Sequence, residues 1–380
     1  MTDNFFHGAR VRENTDLQTA INDIDSTVIG LVAVAEDADP LAFPLNTPVL
    51  VTRVISVLGK AGKTGSLYKS LKAISDQVST RVIVVRVAKA GTGENDPTQS
   101  QLIIGGTQAD GSYTGMFAFL TAEQKTGYRP RILGVPDYDT AEVTAQLRVI
   151  AKQLRAFSKT YRETFAEREG MLIWPNFIAY NPATGVNEEF PAVAYALGLR
   201  ALIDNEQGWH KSLSNVPVKN VLGIAKDVFW ALQAEDSDAN ELNANEITTL
   251  IKRDGFRFWG NRTTDTEEFI FEVYTRTAQI LADSIAEAQF TTVDTPLTPA
   301  NVKDVVSGIN AKLQALVTAG KLIGAACWFD IVDNPTVGLR QGKAIVRYNY
   351  SPVPPLEDLT MIQTFTDQYY EPAFASLGGE

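Results

Sequence analysis

Three β-branched runs open the patterned part of the chain: residues 26–35 (STVIGLVAVA), 47–58 (TPVLVTRVISVL) and 81–88 (RVIVVRVA). Runs this continuously apolar predict strands buried on both faces, since a half-exposed strand alternates apolar and polar positions. A helix at about 66–78 separates the last two. From residue 130 the pattern alternates. RILGVP (131–136) predicts a strand, followed by a helix in which Leu147, Ile150, Leu154 and Phe157 share one face. MLIWPNFIAY (171–180) predicts a second strand, EEFPAVAYALGLRALIDNE (188–206) a second helix, and VKNVLGI (218–224) closes the series. Apolar strands alternating with helices predict an α/β architecture, a parallel sheet covered on both faces.

Between these parts, the Gly/Thr/Asp-rich region at about 90–127 reads as a small β insertion or a long surface loop. QAEDSDANELNANEI (233–247) reads as an acidic, Asn-rich linker. A second, α+β unit follows. GFRFWGNRTT (255–264) and EEFIFEVYTRT (267–277) are strand-like, and the next helix places Ala278, Leu281, Ile285 and Ala288 on one face. Thr298 is placed to cap a helix with Pro299 at its first position, where proline's missing N–H costs nothing. Val302, Val305, Ile309, Leu313 and Leu316 form that helix's buried stripe. IGAACWFDIV (323–332) and KAIVRYNY (343–350) predict two more strands.

The two ends of the chain are the odd parts. Residues 1–20 carry one short strand signal, Ala9, Arg10, Val11 and Arg12. After the prolines of SPVPP (351–355), which end a strand and stiffen an extended exit, comes LTMIQTFTDQYY (359–370). Leu359, Met361, Ile362, Gln363, Phe365 and Tyr369 belong to a segment of strand-like composition with no strand after it to pair with.

Composition narrows the function classes. A formal net charge of −11 argues against a nucleic-acid partner, which needs a positive field facing phosphates. The longest apolar runs are about half of what a membrane-spanning helix needs, and the N-terminus has no signal-peptide core, so no membrane insertion and a reducing cytoplasm are expected. The Asn261 sequon is therefore given no weight. One cysteine, Cys327, and two histidines, His7 and His210, leave no basis for a disulfide framework or a Cys/His metal cluster. Cys327, flanked by apolar residues, reads as a small core residue.

Two catalytic readings need weighing. GKAGKTGS (59–66) stands between a strand and a helix, where a phosphate loop would stand. That loop needs Gly five residues before the Gly-Lys pair, and Val57 occupies the position. A Gly-rich turn with solvated lysines is the better reading, and a degenerate P-loop nucleotide-binding protein stays as an alternative. His210 lies near Ser212 and Ser214, but no Gly-x-Ser-x-Gly elbow is present; a hydrolase is the other alternative. The acids Glu235, Asp236 and Asp238 lack the glycine and distal glutamate of a calcium loop. No catalytic residue, cofactor or metal is assigned.

Longer motifs carry more weight. FRFWGNRTT (256–264), FEVYTRTAQILADSIAEAQF (271–290), TPLTPANVKDVVSGINAKLQAL (295–316) and YNYSPVPPLEDLTMIQTFTDQYY (348–370), in that order, closely resemble the tail sheath protein of contractile-tailed bacteriophages. The short-sheath branch that includes R-type pyocins is the most similar. HGARV, RPRILGVPDYD and GWHKSLSNVPVKNVLGI extend the resemblance over essentially the whole chain, most weakly at 90–127.

The resemblance implies a multidomain sheath fold without enzymatic activity. Its parts would be an N-terminal arm (1–20), an outer α/β region (21–250) with a subtilisin-like domain at about 130–250, an inner α+β domain (251–345) and a C-terminal arm (346–380). It implies a homo-oligomer of stacked hexameric rings around an inner tail tube protein, with baseplate and tail terminator proteins as further partners. The particle would be a virion tail or pyocin-like particle assembled in the host cytoplasm. The arms would add strands to neighbours' inner-domain sheets, so Ala9–Arg12 and the 359–369 residues named above become inter-subunit contacts. Phe256, Phe258, Trp259 and Arg262 would lie in the inner-domain sheet, and Arg276, Lys303 and Lys312 are the tube-facing candidates.

Overall fold

The structure, a computed structural model, describes residue 21, residues 23–160 and residues 167–375. Its first part contains β1 (Ile29–Val34), β2 (Pro48–Val51), α1 (Leu67–Gln77), β3 (Val82–Val87), α2 (Gln99–Ile104), β4 (Ile132–Gly134) and α3 (Ala141–Leu154). Then come β5 (Phe157–Thr160), β6 (Gly170–Ile173), β7 (Phe177–Asn181), β8 (Val186–Phe190), α4 (Ala192–Glu206), β9 (Pro217–Val218) and β10 (Gly223–Ile224). Next are α5 (Asp238–Ala244), β11 (Ile247–Lys252) and β12 (Phe256–Trp259). The last part holds α6 (Glu272–Ala288), α7 (Pro299–Thr318), β13 (Leu322–Phe329) and β14 (Val346–Pro352).

Nine strands form one sheet in the order β9-β12-β11-β6-β5-β4-β1-β3-β2. Its middle is parallel, as the unbroken apolar runs require, and its outer pairs are antiparallel. Alternate residues of β1 and β3 feed opposite cores. Val32, Val34, Ile83 and Val85 meet Val143, Leu147 and Ile150 of α3, whereas Leu31, Ala33, Val82 and Val84 meet Leu71 and Ile74 of α1 and Leu197 of α4. Each fully buried Val, Leu or Ile among them contributes about 1.5–3 kcal/mol.

Several expectations change. Phe157 belongs to β5, not to the preceding helix. The 90–127 region is not a β insertion: a Thr98–Gln101 capping box starts α2, and Ile103, Met116, Phe119 and Ala122 complete the core on the α3 face. Only Gly106–Thr107 and Tyr113–Thr114 pair there as strands. The supposed linker holds α5, capped by Ser237, with Ala239 buried. MLIWPNFIAY is two strands, and β7 turns back on β8 and β10 in a separate three-stranded sheet. VKNVLGI likewise yields two two-residue strands rather than one parallel strand.

The largest correction is at the boundary of the second unit. Phe256, Phe258 and Trp259 lie in β12, which pairs with β11 and β9 and extends the nine-stranded sheet. Phe258 is fully buried against Phe177 and Leu250. A division at 251 would therefore cut through β11. Arg262 makes one isolated bridge with Phe271 and is not in that sheet. The strand-like EVYTRT is the first turn and a half of α6; β propensity there yields to the buried contacts its side chains make.

The second core gathers Ile280, Leu281 and Ile285 of α6, Ile309, Leu313 and Leu316 of α7, and Leu322 and Cys327 of β13. Thr298 caps α7 by accepting the Asn301 N–H, with Pro299 opening the helix. The hairpin of β13 and β14 is a two-stranded sheet by itself. Because β14 runs to Pro352, residues 346–352 belong to this sheet and not to an arm.

Candidate functional site

The glycine-rich turn at 59–66 is the strongest enzymatic candidate in the sequence. Lys63 and Thr64 direct their backbone N–H groups at the Asp37 carboxylate (2.7 and 3.1 Å), and the Thr64 hydroxyl donates to it as well. The Thr64 hydroxyl first, then those two amides, outweigh burial and hold the Asp37 carboxyl at about 2. An anion of the chain itself thus takes the donors a phosphate would need. Gly65 sits at φ +76°, and a Cβ there would lie 2.1 Å from the Val34 carbonyl oxygen. The turn is built for close approach of two backbones.

No relay forms around His210. Its Nδ1 has no hydrogen-bond partner among the described residues, and burial, then the nearby Lys321 charge, push its pKa down. Ser212 accepts the Ser214 N–H (3.1 Å), and Ser214 accepts the Gly260 N–H (3.1 Å). Both hydroxyls serve the local backbone. Cys327 is buried, and burial raises its thiol pKa. Asp238 accepts the Phe229 N–H (2.9 Å). Among the described residues no group of three or more acids, histidines and cysteines could hold a metal.

A cavity of about 610 Å³ opens between α3, α6 and residues 167–169. The basic residues of its wall are already paired: Lys152 with Glu167 (2.6 Å), Arg168 with Glu169 (2.9 Å) and Arg155 with Asp283 (2.5 Å). Among the described residues it offers no free cation to an anionic substrate.

Two other features stand out by their geometry. The first is the junction between α6 and the large sheet. Lys159 of β5 reaches Glu272 (2.8 Å), both completely buried, and Arg200 of α4 lies 3.6 Å from the other Glu272 oxygen. Arg200 also pairs with Asp204 (2.7 Å), which pairs with Arg276. About two turns beyond Arg276 on α6, Asp283 pairs with Arg131 and Arg155. Burial pushes the Lys159 amine down to about 8 against the pull of Glu272. Burial alone would raise the Glu272 carboxyl, but Lys159 and Arg200 outweigh it and hold it low. Arg276 is therefore inside the molecule and is no tube-facing residue. The local signal of this junction in the sequence is a second stripe on α6: Glu272, Arg276, Gln279 and Asp283 at spacings of four, three and four.

The second feature is the C-terminal segment. After Pro352 the chain has no secondary structure until a short helix at Tyr370–Ala375. Leu359, Met361, Ile362, Phe365 and Tyr369 are exposed, from 65% (Leu359) to 89% (Ile362), and Gln363 is exposed beside them. One anchor fixes the root of this arm: Arg262 donates to both carboxylate oxygens of Glu357 (2.9 and 2.7 Å). Arg262 thus serves the arm, not a sheet. Of the two lysines on α7, Lys312 is paired with Asp23 (2.6 Å) and largely covered, while Lys303 is exposed. Ala9, Arg10, Val11 and Arg12 lie outside the described residues.

Comparison with known proteins shows the family. Residues 111–264 match the family model of the phage tail sheath protein central domain, and residues 264–366 that of the phage tail sheath C-terminal domain. Residues 26–87 match the tail sheath protein Gp18 domain III N-terminal region. The chain is 86% identical to the major tail sheath protein of Serratia phage KSP20, over 100% of both chains. It is 48% identical to the tail sheath protein of Escherichia phage P2, over 96% of both. Its fold matches the helical sheath of the anti-feeding prophage in the contracted state, at 18% identity, with a TM-score of 0.72 over 96% of this chain and 99% of that one.

Proposed function

This chain belongs to the phage tail sheath family, a structural subunit of a contractile sheath and not an enzyme, and from that premise we propose how its parts assemble. Copies of the chain make a polymeric sheath in a virion tail or tail-like particle. In the finer reading, six-fold rings stack around an inner tail tube, with baseplate and terminator proteins at the ends, and assembly takes place in the host cytoplasm. The nine-stranded α/β part corresponds to the family's outer, subtilisin-like region. The α7 and hairpin part faces the tube, with Lys303 the remaining basic candidate there.

The observation that carries this reading is the arm beyond Pro352: extended backbone, exposed Leu359, Met361, Ile362 and Phe365, and no partner strand among the described residues. An isolated two-stranded sheet and an unpaired strand in one chain complement each other between copies. Six backbone hydrogen bonds at about 0.5–1.5 kcal/mol each contribute several kcal/mol before ordering entropy is subtracted. Repeated at every lattice contact, that links subunits into a mesh that survives rotation of the domains. An N-terminal arm at Ala9–Arg12 would add a second link of the same kind.

Electron microscopy of the full chain beside a version ending at Pro352, the true end of β14, tests this. Striated tubes from the first and only small species from the second are expected. Tubes from both would remove the C-terminal arm from the mechanism.

A further inference from the structure

The exposed segment beyond Pro352 leaves the molecule from a fixed point, and that point is not on the hairpin. Residues 260–264 follow β12, and their backbone is bonded to three other parts of the chain. The Asn261 carbonyl accepts the Glu272 N–H (3.0 Å), the Thr263 N–H donates to Ile270 (2.8 Å) and the Thr264 N–H to Gly170 of β6 (3.1 Å). Asn261, Thr263 and Thr264 are buried, and Arg262 alone among 261–264 stays half-buried. Its guanidinium meets both Glu357 oxygens, the two side chains being 38% and 34% exposed.

The path from the hairpin to that pair is stiff. Pro352, Pro354 and Pro355 have fixed φ, and each restricts the residue before it to extended backbone. At about 3.1 Å per residue, a strut of this composition covers roughly 15 Å from Pro352 to Glu357. One end lies in the hairpin and the other on the loop after β12, so the strut spans the two halves of the molecule. Past it, residues 358–369 make no hydrogen bond or ion pair with either half among the described residues. Their direction of exit is set at Glu357.

The chemistry of the pair suits a clasp. A planar guanidinium on a carboxylate makes two parallel bonds, which fix orientation as well as distance; a lysine ammonium does not. Hydrogen bonding to Glu357 first, then the charges of Glu357 and Glu246, outweigh burial and raise the Arg262 pKa. Glu246, just before β11, adds to that pull, so opening the clasp does not leave Arg262 without an acid nearby.

We propose that Arg262 is a positioning residue for assembly, whose pair with Glu357 clasps the proline strut to the large-sheet half and aims residues 358–369. The segment then follows that half and not the hairpin it grows from. This rests on the reading that 359–369 contacts another copy, and adds what sets its direction. A free segment gives up its ordering entropy on contact, whereas a clasped one has given up part of it beforehand.

Spin labels at Thr360→Cys and Lys219→Cys of the full-length chain read the distance from the segment to the large-sheet half; Cys327 is buried and takes no label. The free subunit should show a narrow distance distribution. Arg262→Gln or Glu357→Gln should broaden it at an unchanged melting temperature and raise the concentration needed for assembly by about threefold, the scale of one half-covered ion pair. Arg262→Lys, which keeps the charge and loses the fork, should fall between. The exchanged pair Arg262→Glu/Glu357→Arg should restore both readouts, which a merely structural arginine would not. Should Arg262→Gln unfold, Glu357→Gln decides, since Glu357 lies outside both cores. A distribution equally narrow in the glutamine variants, or equally broad in the parent, would overturn the proposal. So would an unchanged assembly concentration when the chain ending at Pro352 fails to assemble, an outcome that leaves the contact reading standing. If that shortened chain still assembles, the contact reading fails, and the distances alone decide the clasp.

Discussion

The large sheet and the terminal hairpin solve the same problem in opposite ways. In the sheet, β1 and β3 have apolar residues on both faces, helices cover both sides, and the antiparallel outer pairs end in strands of two and four residues. Everything it needs lies within one chain. The hairpin has two strands, one covered face and an arm whose largest apolar side chains meet solvent. Two-stranded sheets are marginal alone, and on the proposed arm exchange another copy's strand completes this half. The α6 junction joins the two halves through buried ion pairs, in which desolvation offsets much of the Coulombic gain but removal of one partner is costly.

Three variants would break or sharpen that contrast, in decreasing order of effect. Lys159→Met leaves the Glu272 carboxylate buried beside fewer cations and should destabilise the isolated subunit by about 3–5 kcal/mol in denaturant unfolding. Loss under ~1 kcal/mol would mean the junction is not a joint. Phe365→Asp should do the converse. The isolated subunit should unfold as before, because Phe365 touches little of its own chain. The concentration needed for assembly should rise about tenfold or more, from the roughly 1.5–3 kcal/mol of apolar burial forgone.

The smallest effect belongs to Asp37→Asn. Asp37's folded pKa of about 2 lies below its ordinary 3.8, so its contribution is present above 3.8 and is lost as pH falls through 2. Thermal melts of the two proteins should therefore differ at pH 5 and converge near pH 2. A difference that is constant with pH would show that the carboxylate does not hold the turn. Because Asp37 is exposed, solvent screening keeps the effect modest.

What the sequence revealed, and what it hid, follows the range of the interactions. The β1, β3 and α1 elements, the Thr298 cap and the β13 and β14 strands were legible because apolar period and cap chemistry are local. The unpaired character of 359–369 was legible for the same reason. The placement of β12 was not, since nothing within residues 255–264 says which sheet Phe258 will fill. Nor was the fate of Arg276, whose partner Asp204 is 72 residues away. Asp37, 26 and 27 residues before the amides it holds, was equally invisible from the Gly-Lys-Thr motif. The β-insertion reading of 90–127 failed because glycine and threonine content outweighed one capping box.

Backbone amide hydrogen exchange on free subunits and on assembled sheath, compared peptide by peptide, tests the central claim most directly. Strand exchange predicts that residues 359–369 and unpaired edge amides of the β13–β14 hairpin exchange fast when free and become protected together on assembly, while β1 and β3 are protected in both. An arm that still exchanges fast in intact sheath would contradict the account.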